Sequence, residues 1–208
     1  MFEPTTSRHG LEPFLAALPT QERGDECVTV EIRADLGHIN LRHINLRGSP
    51  ANPEFLPTVA SVLRQELPIA ANTMTMGHHR IYWLGPDEWQ IVTAIDASSE
   101  LLTQTGKALA GLHGFVSDLS GGQIALRLSG SRVRDVLEKG CTVDLTPAEF
   151  PLGASAQCGL AKASMLFGLV DDAGPTFEIV VRRSFADYVL RWLQHAATEH
   201  GVRFFATR

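Results

Sequence analysis

From Val28 apolar and polar residues alternate, with Val28, Val30 and Ile32 set against Thr29, Glu31 and Arg33. That is the two-residue period of a half-buried strand. A direct repeat follows, His38-Ile39-Asn40-Leu41-Arg42 and then His43-Ile44-Asn45-Leu46-Arg47. Five is an odd number, so one strand running through both copies would turn them to opposite faces. A turn or bulge between the copies, or a slipped recent duplication, is expected instead. Asn52 and Pro53 then introduce Phe55, Val59, Val62 and Leu63 at helical spacing, which predicts a helix from about Phe55 to Leu67 that Pro68 stops. Ile81 to Thr93 reads as a hairpin around Leu84-Gly85-Pro86-Asp87-Glu88-Trp89, and Ser98 opens another helix.

The same order recurs in the second half. Ile124, Leu126 and Leu128 lead into Gly130, Val133 to Lys139 has helical spacing, Met165 to Val181 forms a hairpin, and Ser184 opens the last helix. Ser131 is placed to cap the short helix, with Gly140 as its terminator at C′. Ser184 and Asp187 have capping-box spacing ahead of Phe185, Val189, Trp192, Leu193 and Ala196, and Gly201 ends that run. The steps from Leu46 to Leu128, Trp89 to Phe177 and Ser98 to Ser184 are 82, 88 and 86 residues, a drift that loops absorb. An internal duplication is the simplest account. The expected fold is α+β, two pseudo-repeated ferredoxin-like halves with antiparallel sheets packed together. We divide it as an N-terminal arm, 1–25, carrying Pro4, Pro13 and Pro19, and a single domain, 26–208, made of pseudo-repeats 26–114 and 115–208.

Composition narrows the partners. At 208 residues the chain buries roughly 70% of its unfolded surface and needs no staple. Its hydrophobic share, 44%, is high for a protein that exposes its whole surface to water, which leans towards burial against other chains. A formal charge of -5 offers no basic face for nucleic acid or anionic membrane. Cys27, Cys141 and Cys158 form no C-x-x-C pair, so neither a zinc site nor a disulfide framework is signalled. No apolar run approaches the roughly 20 residues a membrane helix needs, and the N-terminus lacks the charged and apolar regions of a signal peptide. A cytoplasmic protein with reduced thiols is expected.

No catalytic constellation emerges. His78 and His79 are adjacent and would point to opposite faces of a strand, and His38 and His43 lack a carboxylate or cysteine arranged to complete a metal shell. Ser120-Gly121-Gly122 lacks phosphate-loop spacing and reads as a turn. Trp83, Trp89 and Trp192 read as core or interface anchors. Lys139-Gly140-Cys141 resembles the cysteine motif of a folate-binding family involved in iron–sulfur maintenance, but Thr142-Val143-Asp144 replaces that motif's aromatic and Gly-Gln-Glu continuation.

One resemblance covers the chain from about Val28 to its end. Its landmarks are Leu84-Gly85-Pro86-Asp87-Glu88-Trp89, Val116-Ser117-Asp118-Leu119-Ser120, Leu128-Ser129-Gly130, and Arg183-Ser184-Phe185-Ala186 with Trp192-Leu193. These resemble the gamma subunit family of heterotetrameric sarcosine oxidase. The resemblance implies a fold like the folate-binding domain of the glycine-cleavage T protein and of the tRNA-modifying GTPase TrmE. It implies a noncatalytic subunit whose alpha, beta and delta partners carry FAD, FMN, NAD, tetrahydrofolate and zinc. The assembly would oxidise sarcosine with oxygen to glycine and hydrogen peroxide and pass the one-carbon unit to tetrahydrofolate. No catalytic, cofactor-binding or metal residue is expected in this chain. The T protein's Thr-Gly-Tyr-Thr-Gly-Glu stretch is replaced here by Val170-Asp171-Asp172-Ala173-Gly174-Pro175 ahead of Phe177-Glu178-Ile179, so the ligand loop is lost where the strand survives. The alternative reading is a free-standing folate-binding module or aminomethyltransferase-like protein.

Overall fold

The structure is a computed structural model that describes residues 28–32, 41–94 and 98–206. The N-terminal arm, Cys27, His38 and most of the first copy of the direct repeat lie outside the described residues. In chain order the strands are β1 (Val28–Ile32), β2 (Leu41–Arg47), β3 (Met74–Met76), β4 (Arg80–Gly85), β5 (Glu88–Ala94) and β6 (Phe115–Asp118). They continue with β7 (Gln123–Ser129), β8 (Ser155–Leu160), β9 (Ala163–Asp171), β10 (Thr176–Arg182) and β11 (Val202–Ala206). The helices are α1 (Phe55–Leu63), α2 (Ser98–Ala108), α3 (Val133–Glu138) and α4 (Ala186–Ala196).

Strand parity sorts the side chains into three apolar layers. Ile44 and Leu46 of β2 and Trp89 and Ile91 of β5 pack with Phe55, Val59 and Leu63 of α1. Leu126 and Leu128 of β7, Phe167 of β9 and Phe177 of β10 pack with the helices α3 and α4. Between the two sheets lies a smaller layer of Leu41, Met74, Tyr82, Val92, Leu166 and Val180. The arrangement is therefore two helix-backed sheets packed face to face, as the pattern of the sequence implied. Phe150 stacks on Phe167 at 5.0 Å in the larger helix-side core, where burying each such ring stabilises the fold by roughly 2–3 kcal/mol.

The sheets repeat one another. Counted from the hairpin edge the smaller runs β3-β4-β5-β2-β6 and the larger runs β8-β9-β10-β7-β1-β11. The fifth position is β6 in one and β1 in the other: β6 is antiparallel to β2 and β1 antiparallel to β7. Strand β11 then lies parallel beyond β1. Strand β1, early in the chain, thus pairs with β7 in the larger sheet, while β6 pairs back with β2 in the smaller one. The outer edges of the sheets are stitched where Met74 N–H donates to Gly153 O at 2.9 Å and Ser155 N–H to Asn72 O at 2.9 Å. A Cβ on Gly168 would stand 2.3 Å from Met74 Sδ, so only glycine permits this close approach.

Several local expectations change. No turn or bulge separates the two copies of the direct repeat, because β2 keeps an unbroken register with β5 from Leu41 opposite Ala94 to Arg47 opposite Glu88. The parity consequence holds instead: Leu41 faces the inter-sheet layer and Leu46 the helix side. Helix α1 ends at Leu63, short of Leu67, because Arg64 turns left-handed at φ 52°. Pro68 is not the stop; its carbonyl accepts Trp89 Nε1–H at 2.7 Å. Ser131 and Ser184 make no side-chain cap, and Ser184 sits in a 3-10 turn, Arg183–Phe185, ahead of α4.

Candidate functional site

The face of each sheet that meets the other carries polar residues at the positions between its helix-facing apolar ones. Asn45 on β2, Gln90 on β5, Gln123 on β7 and Gln157 on β8 therefore converge on a cleft of about 520 Å³, which Glu88, Arg182 and Cys158 also line. These groups are engaged with one another. Asn45 Nδ2 donates to Glu88 Oε1 at 2.8 Å, Gln90 Nε2 to Gln123 Oε1 at 2.6 Å and Gln157 Nε2 to Leu84 O at 3.1 Å. Each donating nitrogen named is engaged within the wall: the Gln90 and Gln157 bonds tie the two sheets together, and the Asn45 bond joins β2 to β5 within the smaller one.

Deeper in the same interface lies Glu178, fully buried. It is the lone carboxylate in the apolar run Phe177-Glu178-Ile179-Val180-Val181. Tyr82 Oη, on the opposite sheet, donates to Glu178 Oε1 at 2.9 Å, and Arg127 Nη2 lies 3.9 Å from Oε2. An ionised carboxylate leaves water only when such partners replace its hydration. Sequence reasoning placed this strand in the Met165–Val181 hairpin without singling out Glu178; a single charge in an otherwise apolar strand was the signal.

The histidines separate. His79 is buried, with Nδ1 2.8 Å from Thr93 Oγ1, while His78 is exposed. Burial, helped by His78, pulls His79 below the usual imidazole range. His43 is 1% exposed, and burial lowers its pKa to about 4 against the opposing pull of Asp118. Ser120 forms part of a turn as expected, but it also ties β2 to that turn: its Oγ accepts His43 N–H at 3.0 Å and donates to Asp118. Burial alone would raise Asp118, but two hydrogen bonds from Ser120 and the Arg42 guanidinium at 2.6 Å hold it below the usual carboxylate range. A Ser, a His and an Asp thus meet here, yet the contact from His43 is its backbone, so the imidazole is not placed as the base of a triad. Among the described residues no three His, Cys, Asp or Glu side chains come together as metal ligands, and no helix is long and apolar enough to cross a membrane.

Trp89 is a core anchor, fully buried 5.7 Å from Phe55, while Trp192 is half-buried at the edge of the larger core. The hairpin turn before β10 closes on itself: Ala173 N–H donates to Asp171 Oδ1 at 3.0 Å, Thr176 Oγ1 to Gly174 O at 2.7 Å, and Arg134 reaches Asp172 at 3.0 Å. The turn is exposed, and its Asp172 carboxylate is tied to α3 through Arg134.

Two cysteines that the sequence leaves far apart come together. Cys141 Sγ and Cys158 Sγ are 3.3 Å apart, both half-buried. No spacing motif announces the pair, because it depends on the chain after α3 returning to β8, where Cys141 bridges Leu160. The Cys158 thiol, with Val143 N–H at 3.4 Å, pulls Cys141 down to about 7 despite burial. The same contact and burial push Cys158 up.

A profile described as sarcosine oxidase, gamma subunit family matches residues 47–199. The chain is 33% identical over 119 residues to sarcosine oxidase subunit gamma of Corynebacterium sp. (strain U-96), a stretch that is 57% of this chain and 56% of that one. It is 32% identical over 119 residues to the same subunit of an Arthrobacter sp, covering 57% of each. The match therefore spans little more than half the length of these relatives. A chain of the heterotetrameric sarcosine oxidase from Corynebacterium sp. U-96, solved with pyrrole 2-carboxylate, superposes with a TM-score of 0.80 and 26% identity over 91% of this chain and 94% of that one. The aminomethyltransferase T of the glycine cleavage system from Bartonella henselae superposes with a TM-score of 0.62 over 86% of this chain and 47% of its own, at 13% identity, a likeness of fold alone.

Proposed function

The chain belongs to the sarcosine oxidase gamma subunit family, and from that premise we propose that it works as the noncatalytic scaffold subunit of a heterotetrameric, flavin-dependent sarcosine oxidase. Its partners in this reading are alpha, beta and delta subunits that carry FAD, FMN, NAD, tetrahydrofolate and zinc. The assembly oxidises sarcosine with oxygen to glycine and hydrogen peroxide and passes the one-carbon unit to tetrahydrofolate, in the cytoplasm.

The observation that carries this reading is the superposition along nearly the whole chain on a chain of a heterotetrameric sarcosine oxidase, at a TM-score of 0.80. The chemistry of the inter-sheet cleft supports it. Its named amides donate within the wall, its buried carboxylate accepts from Tyr82, and the turn ahead of β10 is closed on itself. Large apolar side chains remain at the surface, Ile69 at 69% exposed, Phe115 at 61% and Leu152 at 54%, as expected of a protein that buries them against neighbours.

Oxygen uptake with the purified chain alone in sarcosine tests the noncatalytic part. The expected result is a rate equal to the buffer blank, restored when the chain is recovered with its partners. Uptake by the isolated chain at the rate of the assembly would overturn the reading.

A further inference from the structure

Cys141 lies just past the end of α3, and Cys158 lies on β8. Ala161 N–H donates to Gly140 O at 2.9 Å, and Cys141 bridges Leu160, so backbone pairing sets the two segments side by side. Gly140 makes this approach possible: a Cβ there would stand 2.5 Å from Trp192 Cζ2 and 3.1 Å from Ala161 N. The sulfurs end 3.3 Å apart, both half-buried, with Cys158 on the wall of the inter-sheet cleft. A disulfide requires the sulfurs to close from 3.3 Å to roughly 2.05 Å.

We propose that Cys141 and Cys158 are a peroxide-reactive dithiol, with Cys141 the attacking thiolate and Cys158 the resolving thiol. Cys141 S⁻ attacks one oxygen of a hydroperoxide, the O–O bond breaks, and the other oxygen leaves as hydroxide or alkoxide and takes a proton. Cys141 is then a sulfenic acid. The Cys158 sulfur gives up its proton and attacks the Cys141 sulfur; the S–O bond breaks, water leaves, and the disulfide forms. For hydrogen peroxide two thiols and one peroxide give one disulfide and two waters, with two electrons passing from sulfur to oxygen. The roles follow from the environment. Cys141 Sγ accepts Val143 N–H at 3.4 Å and lies 3.3 Å from Cys158 Sγ, contacts that favour its thiolate and pull its pKa down, whereas the same sulfur contact and burial push Cys158 up and keep it protonated. The pair needs no partner for this chemistry; only the source of peroxide, the oxidase itself, rests on the function proposed above.

The test takes the full chain, reduced and freed of reductant, and treats it with a small molar excess of hydrogen peroxide. The chain has three cysteines. Titratable thiols should fall from three to one, and peptide mapping should find the 141 and 158 peptides joined and two hydrogens lighter. The rate should rise with pH about a midpoint near 7. Cys158→Ser should stop at a Cys141 sulfenate that a 1,3-dione captures, and Cys141→Ser should lose its remaining thiols at least about tenfold more slowly. Three thiols that persist, a disulfide to Cys27, or a Cys141→Ser variant that reacts at the wild-type rate would overturn the proposal. Added peroxide tests the pair. If it oxidises the pair while the chain recovered from its cells shows no sarcosine-dependent oxygen uptake, the assembly reading fails and the dithiol stands.

Discussion

Glu178 is fully buried among apolar neighbours, and the Tyr82 hydroxyl reaches it from the other sheet at 2.9 Å. Removing the donor leaves a desolvated carboxylate short of one bond, a cost of about 1–3 kcal/mol. Tyr82→Phe should therefore lower the denaturation midpoint, and a double-mutant cycle with Glu178→Gln should show coupling of about 1–2 kcal/mol. Purely additive effects would mean that the contact does not join the sheets. His43 makes a pH prediction. Its folded pKa, about 4, lies below the ordinary 6.5, so between those values the unfolded chain binds the proton that the folded one refuses. Its contribution is neutral above pH 6.5 and becomes destabilising as pH falls towards 4, by up to about 3 kcal/mol. Stability measured by denaturant at pH 7 and pH 4.5 should fall less in His43→Leu than in the wild type, and equal falls would remove His43 from the account. His43 was not legible as a special position, because an identical pentapeptide precedes its own; Glu178 carried the signal of a lone charge in an apolar strand, but its burial depends on a second sheet.

At the scale of elements the alternation and helix spacing were legible because they follow from which face meets the core. Both hairpins, the helix after each, and the order of the repeat come from that local rule. The ends of elements were not, since they depend on distant contacts. Leu67 is buried with the α1 core though it lies past the left-handed Arg64, so its apolar character looked helical. Gly140 keeps an ordinary backbone and is required by Trp192 and Ala161, across the fold, instead of by a left-handed cap. Arg134 of α3 shows how much one side chain can organise. Its guanidinium donates to Leu145 O and Phe150 O, pairs with Asp172, and lies 5.3 Å over the Phe177 ring. Arg134→Ala should cost about 2–4 kcal/mol in urea unfolding, with Arg134→Lys recovering only part. A loss below about 0.5 kcal/mol would show that the 145–150 loop holds without it.

For the whole molecule the duplication explains the matching strand order, and the exchange of β1 and β6 explains why the two halves hold together: each sheet contains a strand from the other side of the midpoint. Pairing across the midpoint joins elements distant in sequence, which no local pattern records. The sheets also leave Ile69, Phe115 and Leu152 outside. If partners cover that surface, the isolated chain should melt early and gain about 2.7 kcal/mol when partners are present at a hundred times their dissociation constant. An unchanged melting temperature with the partners added would contradict this.

The central claim, that the chain is the scaffold of an oxidase, is tested most directly by recovering the tagged chain from its native cells and taking the mass of the complex with its absorbance spectrum. The account predicts three further subunits, a yellow flavin spectrum and sarcosine-dependent oxygen uptake. A colourless protein of the mass of this chain alone would contradict it.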